Sequence, residues 1–440
     1  MYRTLMEELR TWKESPDRSP LILRGARQVG KTYLIEEFGK ECFENTVEIN
    51  FEKNPSAIRY FDGDLDPERI VRTLSIAFKT EIKKEKTLIF LDEVQDSPRA
   101  LTFLKYFKED APEYAVIAAG SLLGIQEHKG LSFPVGKVSF LELFPFSFRE
   151  FLMGIGEEGL AAELDTASFD DISLFGERYL ELLKEYLLVG GMPSCILKWK
   201  ETASFEKVRK IQDDIVESYL SDLSKHLPPR VVVRCREIVS SIASQLGKEN
   251  KKFIFSHVRE GGRAKDYEEA FAWLESCRII NKVKRVTIPR LPLSSYEEQG
   301  VFKVYMHDVG LLSSLLKTDT SAFIEGNALF DAFRGTLMEQ FVLSELKSQH
   351  YDAVAYYVNG KNTAEVDFIV EDRGEIIPLE VKSGVNTKAK SLRAYREKFS
   401  PLVALRTSPL PYIEHEWVIN IPLYALTKMR AVIDTQKQKA

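Results

Sequence analysis

The stretch Gly25-Ala-Arg-Gln-Val-Gly30-Lys31-Thr32 restricts this chain to few architectures. It follows the apolar run Pro20–Arg24 and precedes the helical pattern Lys31–Lys40. The pattern G-x-x-x-x-G-K-[ST] between a strand and a helix suits a loop that wraps a triphosphate. Glycines let backbone amides converge on phosphate oxygens, and the helix N-terminus adds positive potential. Gly25, Ala26, Arg27, Gln28, Val29, Gly30, Lys31 and Thr32 are thus the expected nucleotide-binding residues. Lys31 would reach the β- and γ-phosphates, and the Thr32 hydroxyl would ligate Mg²⁺. ATP and Mg²⁺ are the expected cofactors.

A second motif agrees with the first. Thr87-Leu-Ile-Phe-Leu-Asp92-Glu93 reads as a buried strand that delivers Asp92 to its carboxyl end, where it can hold the metal shell. Glu93 is the candidate base for the attacking water. Ala115-Val-Ile-Ala-Ala-Gly120-Ser121 is a third strand, and Ser121 is placed to contact the γ-phosphate or the water. Further runs alternate in the same way: strand Thr46–Phe51, helix Pro67–Lys79, helix Pro98–Lys108. Continuous apolar strands separated by helices imply a parallel sheet covered on both faces, an α/β three-layer domain.

Composition narrows the partners. The 440 residues are 44% hydrophobic and 29% charged with net charge −5, which fits a globular chain and argues against a protein that passively coats nucleic acid. Local basic grooves remain open. Cys42, Cys195, Cys235 and Cys277 are scattered, so neither a CxxC zinc site nor a disulfide framework is expected. The longest uncharged run, Tyr114–Gln126, is too short for the ~20 residues of a membrane span. The N-terminus is acidic by Glu7, unlike a signal peptide, so a cytoplasmic chain with no membrane association is expected.

Beyond Phe148 helical patterns dominate, including Glu177–Leu188 and Phe205–Leu223. Helices at Val231–Leu246 and Lys265–Ser276, followed by apolar runs Arg278–Thr287 and Val301–Met306 around the loop Pro289–Gly300, resemble a winged helix. A second α/β unit with its own sheet follows: helix Asn327–Gln349, strands Val354–Val358, Val366–Val370 and Ile376–Val381, helix Thr387–Phe399 and strand Leu402–Leu405. The expected domains are 1–147, 148–226, 227–320 and 321–440.

Together the phosphate loop, the Asp-Glu pair and the polar residue on the intervening strand resemble the AAA+ branch of P-loop ATPases. The match sharpens with Phe90-Leu-Asp-Glu-Val-Gln-Asp96, Gly120-Ser-Leu-Leu, Leu143-Phe-Pro-Phe-Ser-Phe-Arg-Glu-Phe151 and Gly190-Gly-Met-Pro193. These are similar to the prokaryotic AAA-type ATPases that carry a DUF4143 region. The resemblance implies a P-loop AAA+ three-layer domain, a helical lid, a winged-helix domain and a C-terminal restriction-endonuclease-like α/β domain. Hydrolysis in this fold uses an arginine on the γ-phosphate. The family often has Gly-Arg where this chain has Gly136-Lys137, and lysine lacks the bidentate fork; Arg149 and Arg27 are the other candidates.

Glu365-Val-Asp367 and, further on, Glu380-Val-Lys382 form the other constellation. Residues two apart on a strand share a face, so Glu380 and Lys382 point the same way, across a turn from Asp367. Two carboxylates and a lysine in one cleft can bind Mg²⁺ and orient a water, and Glu339 on the preceding helix could complete the shell. This set resembles the PD-(D/E)xK nuclease core. Solvated strand ends are the alternative reading. From Val381 to Ala440 there are eleven Lys/Arg and four Asp/Glu, with Lys388, Lys390, Arg393, Arg396 and Lys398 near the site, a charge that would attract a phosphate backbone. In the winged-helix segment Arg259, Arg263, Lys265, Lys282, Lys284 and Arg285 could contact DNA, although Asp266, Glu268 and Glu269 share the helix. His226, His257 and His307 read as surface or packing residues.

Two functions fit. One is an ATP-dependent nucleic-acid enzyme with a Mg²⁺-dependent nuclease end. The other is an ATP-switched scaffold whose nuclease-like end binds a protein or DNA without cleaving. The expected partners are ATP, DNA through the winged helix and the basic C-terminal region, and further copies of the chain.

Overall fold

A computed structural model describes residues 1–120, 136–248, 250–317, 328–360, 363–384, 389–415 and 417–439. Ser121 and Lys388 lie outside them. The chain divides into two compact units, one of residues 1–144 with 272–279 and one of residues 145–271 with 280–440.

The first unit holds α1 (Leu5–Glu14), β1 (Leu21–Arg24), α2 (Lys31–Cys42), β2 (Asn45–Asn50), α3 (Pro67–Ala77), β3 (Thr87–Asp92), α4 (Pro98–Asp110), β4 (Ala115–Ala119) and β5 (Ser139–Glu142). The five strands form a sheet in the order β2-β3-β4-β1-β5, each pair parallel. Every residue of β3 and β4 is buried, the reason both read as unbroken apolar runs. Helix starts are set locally. Asp66 accepts from the N–H groups of Glu68 and Arg69, Ser97 accepts from Ala100, and Pro67 and Pro98 open the helices that follow. The apolar faces of α3 and α4 join Ile22, Ile49, Ile89 and Val116 in one core. Strand β5 was not expected. It is a half-exposed edge of four residues, too short for a periodicity signal.

The second unit begins with helices α5 (Phe148–Ile155), α6 (Glu158–Thr166), α7 (Phe169–Ser173), α8 (Gly176–Val189), α9 (Pro193–Thr202), α10 (Phe205–His226), α11 (Pro229–Leu246), α12 (Phe255–Val258) and the part of α13 (Ala264–Ser276) up to Phe271. The hairpin β6 (Ile280–Val286) and β7 (Glu297–Met306) follows, then α14 (Val309–Leu315) and α15 (Ala328–Ser348). The remainder is β8 (Val354–Val358), β9 (Glu365–Asp372), β10 (Glu375–Val381), α16 (Lys390–Phe399), β11 (Leu405–Ser408), β12 (Ile413–Glu414), β13 (Ile419–Pro422) and α17 (Met429–Lys439).

Here the structure corrects the expectation of a separate C-terminal sheet. The strands form one eight-stranded sheet, β12-β13-β11-β10-β9-β8-β6-β7, because β6 pairs in parallel with β8. The hairpin that resembled a free wing is the edge of that sheet. The strand expected at Leu402–Leu405 begins at Leu405, and β12, β13 and α17 had no counterpart in the sequence reading. Between β8 and β9 the register slips, so that Asp367 and Phe368 both oppose Tyr356. Such a bulge disturbs the ladder locally beside Asp367.

The Gly190-Gly-Met-Pro segment has a packing role. A Cβ on Gly190, which lies at φ 75°, would stand 2.4 Å from an Asp308 carboxylate oxygen, and one on Gly191 would stand 2.3 Å from the Phe146 carbonyl. Asp308 caps α14 through the Leu311 N–H at 2.9 Å and accepts from the Gly191 N–H at 2.6 Å. Burial pushes its carboxyl up to about 6 despite these donors. A raised folded value means a contribution that is complete below about pH 4 and lost as pH rises through about 6. The stability of wild type relative to Asp308→Asn should therefore fall by about 3 kcal/mol between acidic and neutral pH. Urea titrations at the two pH values check this, and a difference insensitive to pH refutes it.

Candidate functional site

The phosphate loop leaves β1 at Gly25, whose φ of 152° and tight contact with the Leu143 carbonyl leave no room for a Cβ, which would stand 2.4 Å away. Gln28 and Gly30 also take positive φ, 66° and 96°. Gly30 turns the chain directly into α2, so the first free N–H groups of that helix face the loop. Lys31 is buried and donates to the carbonyls of Gly25 at 3.0 Å and Ala26 at 2.9 Å. Burial lowers its ammonium to about 8, against the pull of Glu93 and Asp92. The ammonium thus rests on the loop's own backbone with two carboxylates nearby.

Because β4 lies between β1 and β3, the loop after β1 and the acids after β3 flank the carboxyl end of β4. Thr32 Oγ1 donates to Asp92 Oδ2 at 3.0 Å, and Asn50 Nδ2, at the end of β2, donates to the same oxygen at 2.8 Å. Asp92 is raised from its ordinary value by burial and by Glu93, opposed by these donors. A buried carboxylate beside a hydroxyl and a second acid is a place for a cation, so the donor set fits Mg²⁺ completed by phosphate and water oxygens. Glu93 sits at φ 49°, half-buried, and accepts from Gln95 Nε2 at 2.6 Å. Asn50 and Gln95 were missed in the sequence. The three candidates for the γ-phosphate cation all have acidic partners: Lys137 has Glu109 at 3.1 Å, Arg27 has Glu52 at 3.5 Å, and Arg149 grips Asp165 with two nitrogens.

The C-terminal acids divide. Glu380 and Lys382 face the same way and pair at 2.6 Å, with Arg406 opposite Glu380 on β11. Asp367 instead accepts from the Val381 N–H at 2.8 Å, and its charged neighbours are Glu339, Lys303 and Lys251. Burial, then Glu339, pushes Asp367 up to about 7. Glu339 is buried on α15, with Lys251 on one oxygen and Tyr305 Oη on the other at 3.1 Å. Lys303 Nζ lies 3.7 Å from Glu339 and 2.6 Å from Glu365. Among the described residues no group of three or more His, Cys, Asp or Glu side chains could hold a metal ion. Both Glu339 oxygens face donors and one Glu380 oxygen is paired with Lys382, while Glu380 Oε2 is buried with no hydrogen-bond partner, so internal cations already engage part of the set expected to form a Mg²⁺ shell. The sequence reading missed Lys251, Lys303 and Tyr305, although a lone lysine in the apolar run Val301–Met306 was a signal.

The expected basic surfaces are only partly free. Lys284 pairs with Glu297 at 2.9 Å and Arg285 with Glu298 at 2.6 Å, and Lys282 lies over the Phe271 ring at 4.6 Å. Arg259, Arg263 and Lys265 are exposed, with Arg259 4.0 Å from Glu237. His307 meets the Tyr219 hydroxyl at 3.1 Å in the interior, and His257 meets Lys248. No helix among the described residues is long and apolar enough to cross a membrane.

A phosphate loop on a parallel sheet, facing an Asp-Glu pair across one intervening strand, defines the P-loop ATPase class of fold. Comparison narrows it. Residues 17–152 match the AAA domain family, residues 180–322 a domain of unknown function, DUF8612, and residues 334–424 a domain of unknown function, DUF4143. The chain thus carries an AAA domain and, towards its C-terminal end, a DUF4143 region. No curated protein matches it significantly. Among solved structures, the Walker-type ATPase of Pyrococcus abyssi is 16% identical with TM-score 0.45, covering 71% of this chain and 95% of that one. The Aeropyrum pernix ORC1 protein, solved in complex with DNA, is 13% identical with TM-score 0.30 (74% and 94%). A point variant of Thermotoga maritima RuvB is 14% identical with TM-score 0.30 (74% and 94%).

The contact between Gly25 and Leu143 yields a test. Gly25→Ala should shift the loop and weaken binding of a fluorescent ATP analogue by about tenfold or more, roughly 1.4 kcal/mol. Unchanged affinity would mean that the loop tolerates a side chain there.

Proposed function

We propose that this protein binds ATP with Mg²⁺ and hydrolyses it, with Lys31 on the β- and γ-phosphates, Thr32 and Asp92 on the metal, and Glu93 polarising the water. The observation that carries this is the hydrogen bond from Thr32 to Asp92 at 3.0 Å, with Glu93 next in sequence and Lys31 within the field of both acids. Ser121 follows β4 in sequence, and its contact with the γ-phosphate is part of the proposal. When bound, Mg²⁺ offsets charge on the phosphate oxygens. The chain's own residues orient the triphosphate through the loop amides and hold the water against Glu93. Lys31→Ala should abolish nucleotide binding, whereas Glu93→Gln should keep binding and lose turnover by about a hundredfold or more. Equilibrium binding and phosphate release separate the two, and full turnover in Glu93→Gln would remove the base assignment.

For the C-terminal region the geometry favours the non-cleaving reading, an ATP-switched module that binds nucleic acid or a protein. The observation behind it is that the acids of the nuclease-like set are engaged by internal cations, Glu380 by Lys382 and Glu339 by Lys251. Lys390, Arg393, Arg396 and Lys398 on α16 supply the basic face that would meet a phosphate backbone, in a salt-dependent way. In a plasmid and single-stranded DNA assay with Mg²⁺, wild type, Asp367→Ala and Lys382→Ala should share the same background. Cleavage by wild type alone would restore the nuclease reading.

A further inference from the structure

Lys303 is the least expected residue of the second unit. Its side chain is 1% exposed, in the half of β7, Phe302 to Met306, whose residues are all buried. An ammonium taken from water costs several kcal/mol unless acids surround it. Here Glu365 lies 2.6 Å away and Glu339 3.7 Å away, and the Tyr356 ring centre lies 4.9 Å from Nζ. Lys251, in the segment between α11 and α12, closes the group onto Glu339, and Tyr305, two residues from Lys303 and on the same face of β7, donates to the other Glu339 oxygen. Asp367, which accepts from the Val381 N–H, is a third acid in the field of the same lysines.

The two halves of this group come from different family regions. Lys251, Lys303 and Tyr305 fall within residues 180–322, and Glu339, Glu365 and Asp367 within residues 334–424. All the bases come from the first region and all the acids from the second. Neither region could bury its half alone, since each would be left with unpaired charges.

We propose that this cluster is an ion lock that fuses the hairpin region to the DUF4143 region, with the Lys251 and Lys303 ammonium groups filling the place that a divalent metal takes in a nuclease of this fold. It rests on the non-cleaving reading and deepens it: the carboxylates serve as the receptor for two lysines of the preceding region. The lock makes the hairpin, α15 and the sheet one rigid body.

The test uses the full chain without nucleotide. Mn²⁺ titration followed by electron paramagnetic resonance should show no binding that depends on Asp367. Lys251→Met and Glu339→Gln should each lower the melting midpoint by about 10 °C, and the double variant should lose much less than the sum. Mn²⁺ binding that Asp367→Asn abolishes would overturn both the lock and the non-cleaving reading. No such binding, but strictly additive losses, would overturn the lock and leave that reading standing. If Lys251→Met does not fold, Lys251→Arg decides: a midpoint within a few degrees of wild type supports the lock, and a collapse overturns it.

Discussion

The nucleotide site depends on one constraint, the parallel strand order that brings the carboxyl ends of β1, β3 and β4 to the same edge of the sheet. The loop at Gly25–Thr32 and the Asp92-Glu93 pair are separated by some sixty positions of sequence, and no local force unites them. They meet because β3 and β4 are buried along their whole length and each pairs in a fixed register, Leu88 with Ala115 and Leu21 with Ile117. A slip of one residue in these pairings would move Asp92 along the sheet edge and away from Thr32. The Thr32, Asp92 and Asn50 hydrogen bonds then tie α2, β3 and β2 together at the point where charge is concentrated. Glycines at the sharp turns let the loop approach its neighbours, so fold and chemistry draw on the same residues.

Much of this was legible because the signals were local. The phosphate loop is a contiguous motif, the buried strands are continuous apolar runs, and α3 and α4 carry their own start signals in Asp66-Pro67 and Ser97-Pro98. Edge elements were not legible. β5 alternates too briefly to register, and β12 and β13 have two and four residues. Their existence is decided by the neighbours they pair with. Asn50 reaches Asp92 because β2 lies beside β3, and Gln95 reaches Glu93 through a local turn.

The C-terminal half illustrates where pattern reading misleads. Strand alternation placed Glu380 and Lys382 on one face, and the structure agrees. That rule speaks only of the strand itself, and says nothing of the side chains that other segments bring against it. Asp367 accepts from the Val381 N–H, and the cations in its field, Lys303 and Lys251, are supplied from elsewhere in the chain. The hairpin read as a free wing had the same fate. Its apolar alternation fits any antiparallel pair, and only the parallel pairing of β6 with β8 makes it the edge of a larger sheet. The basic residues counted toward DNA contact on that hairpin are consumed in holding it, Lys284 and Arg285 by acids of β7.

Buried acids in this unit show two ways of tolerating burial, and the contrast bears on what the carboxylate cluster is for. Asp308 and Glu345 are met by backbone N–H groups, from Gly191 and Leu311 in one case and Phe148 in the other. Dipoles alone do not outweigh desolvation, so burial raises both, to about 6 and about 7. Glu339 is as deeply buried, and burial pushes it upward too, yet Lys251 and Lys303 reverse the balance and hold it below its ordinary value. It is therefore a charged group in the interior, stabilised by ammonium groups from other segments. A carboxylate in that state already has its counter-ions, and a divalent cation would have to displace two lysines from a packed interior to reach it. On the proposal above, the residues that resemble a nuclease core join two parts of the chain, and the phosphate loop with Asp92 and Glu93 is where chemistry is proposed.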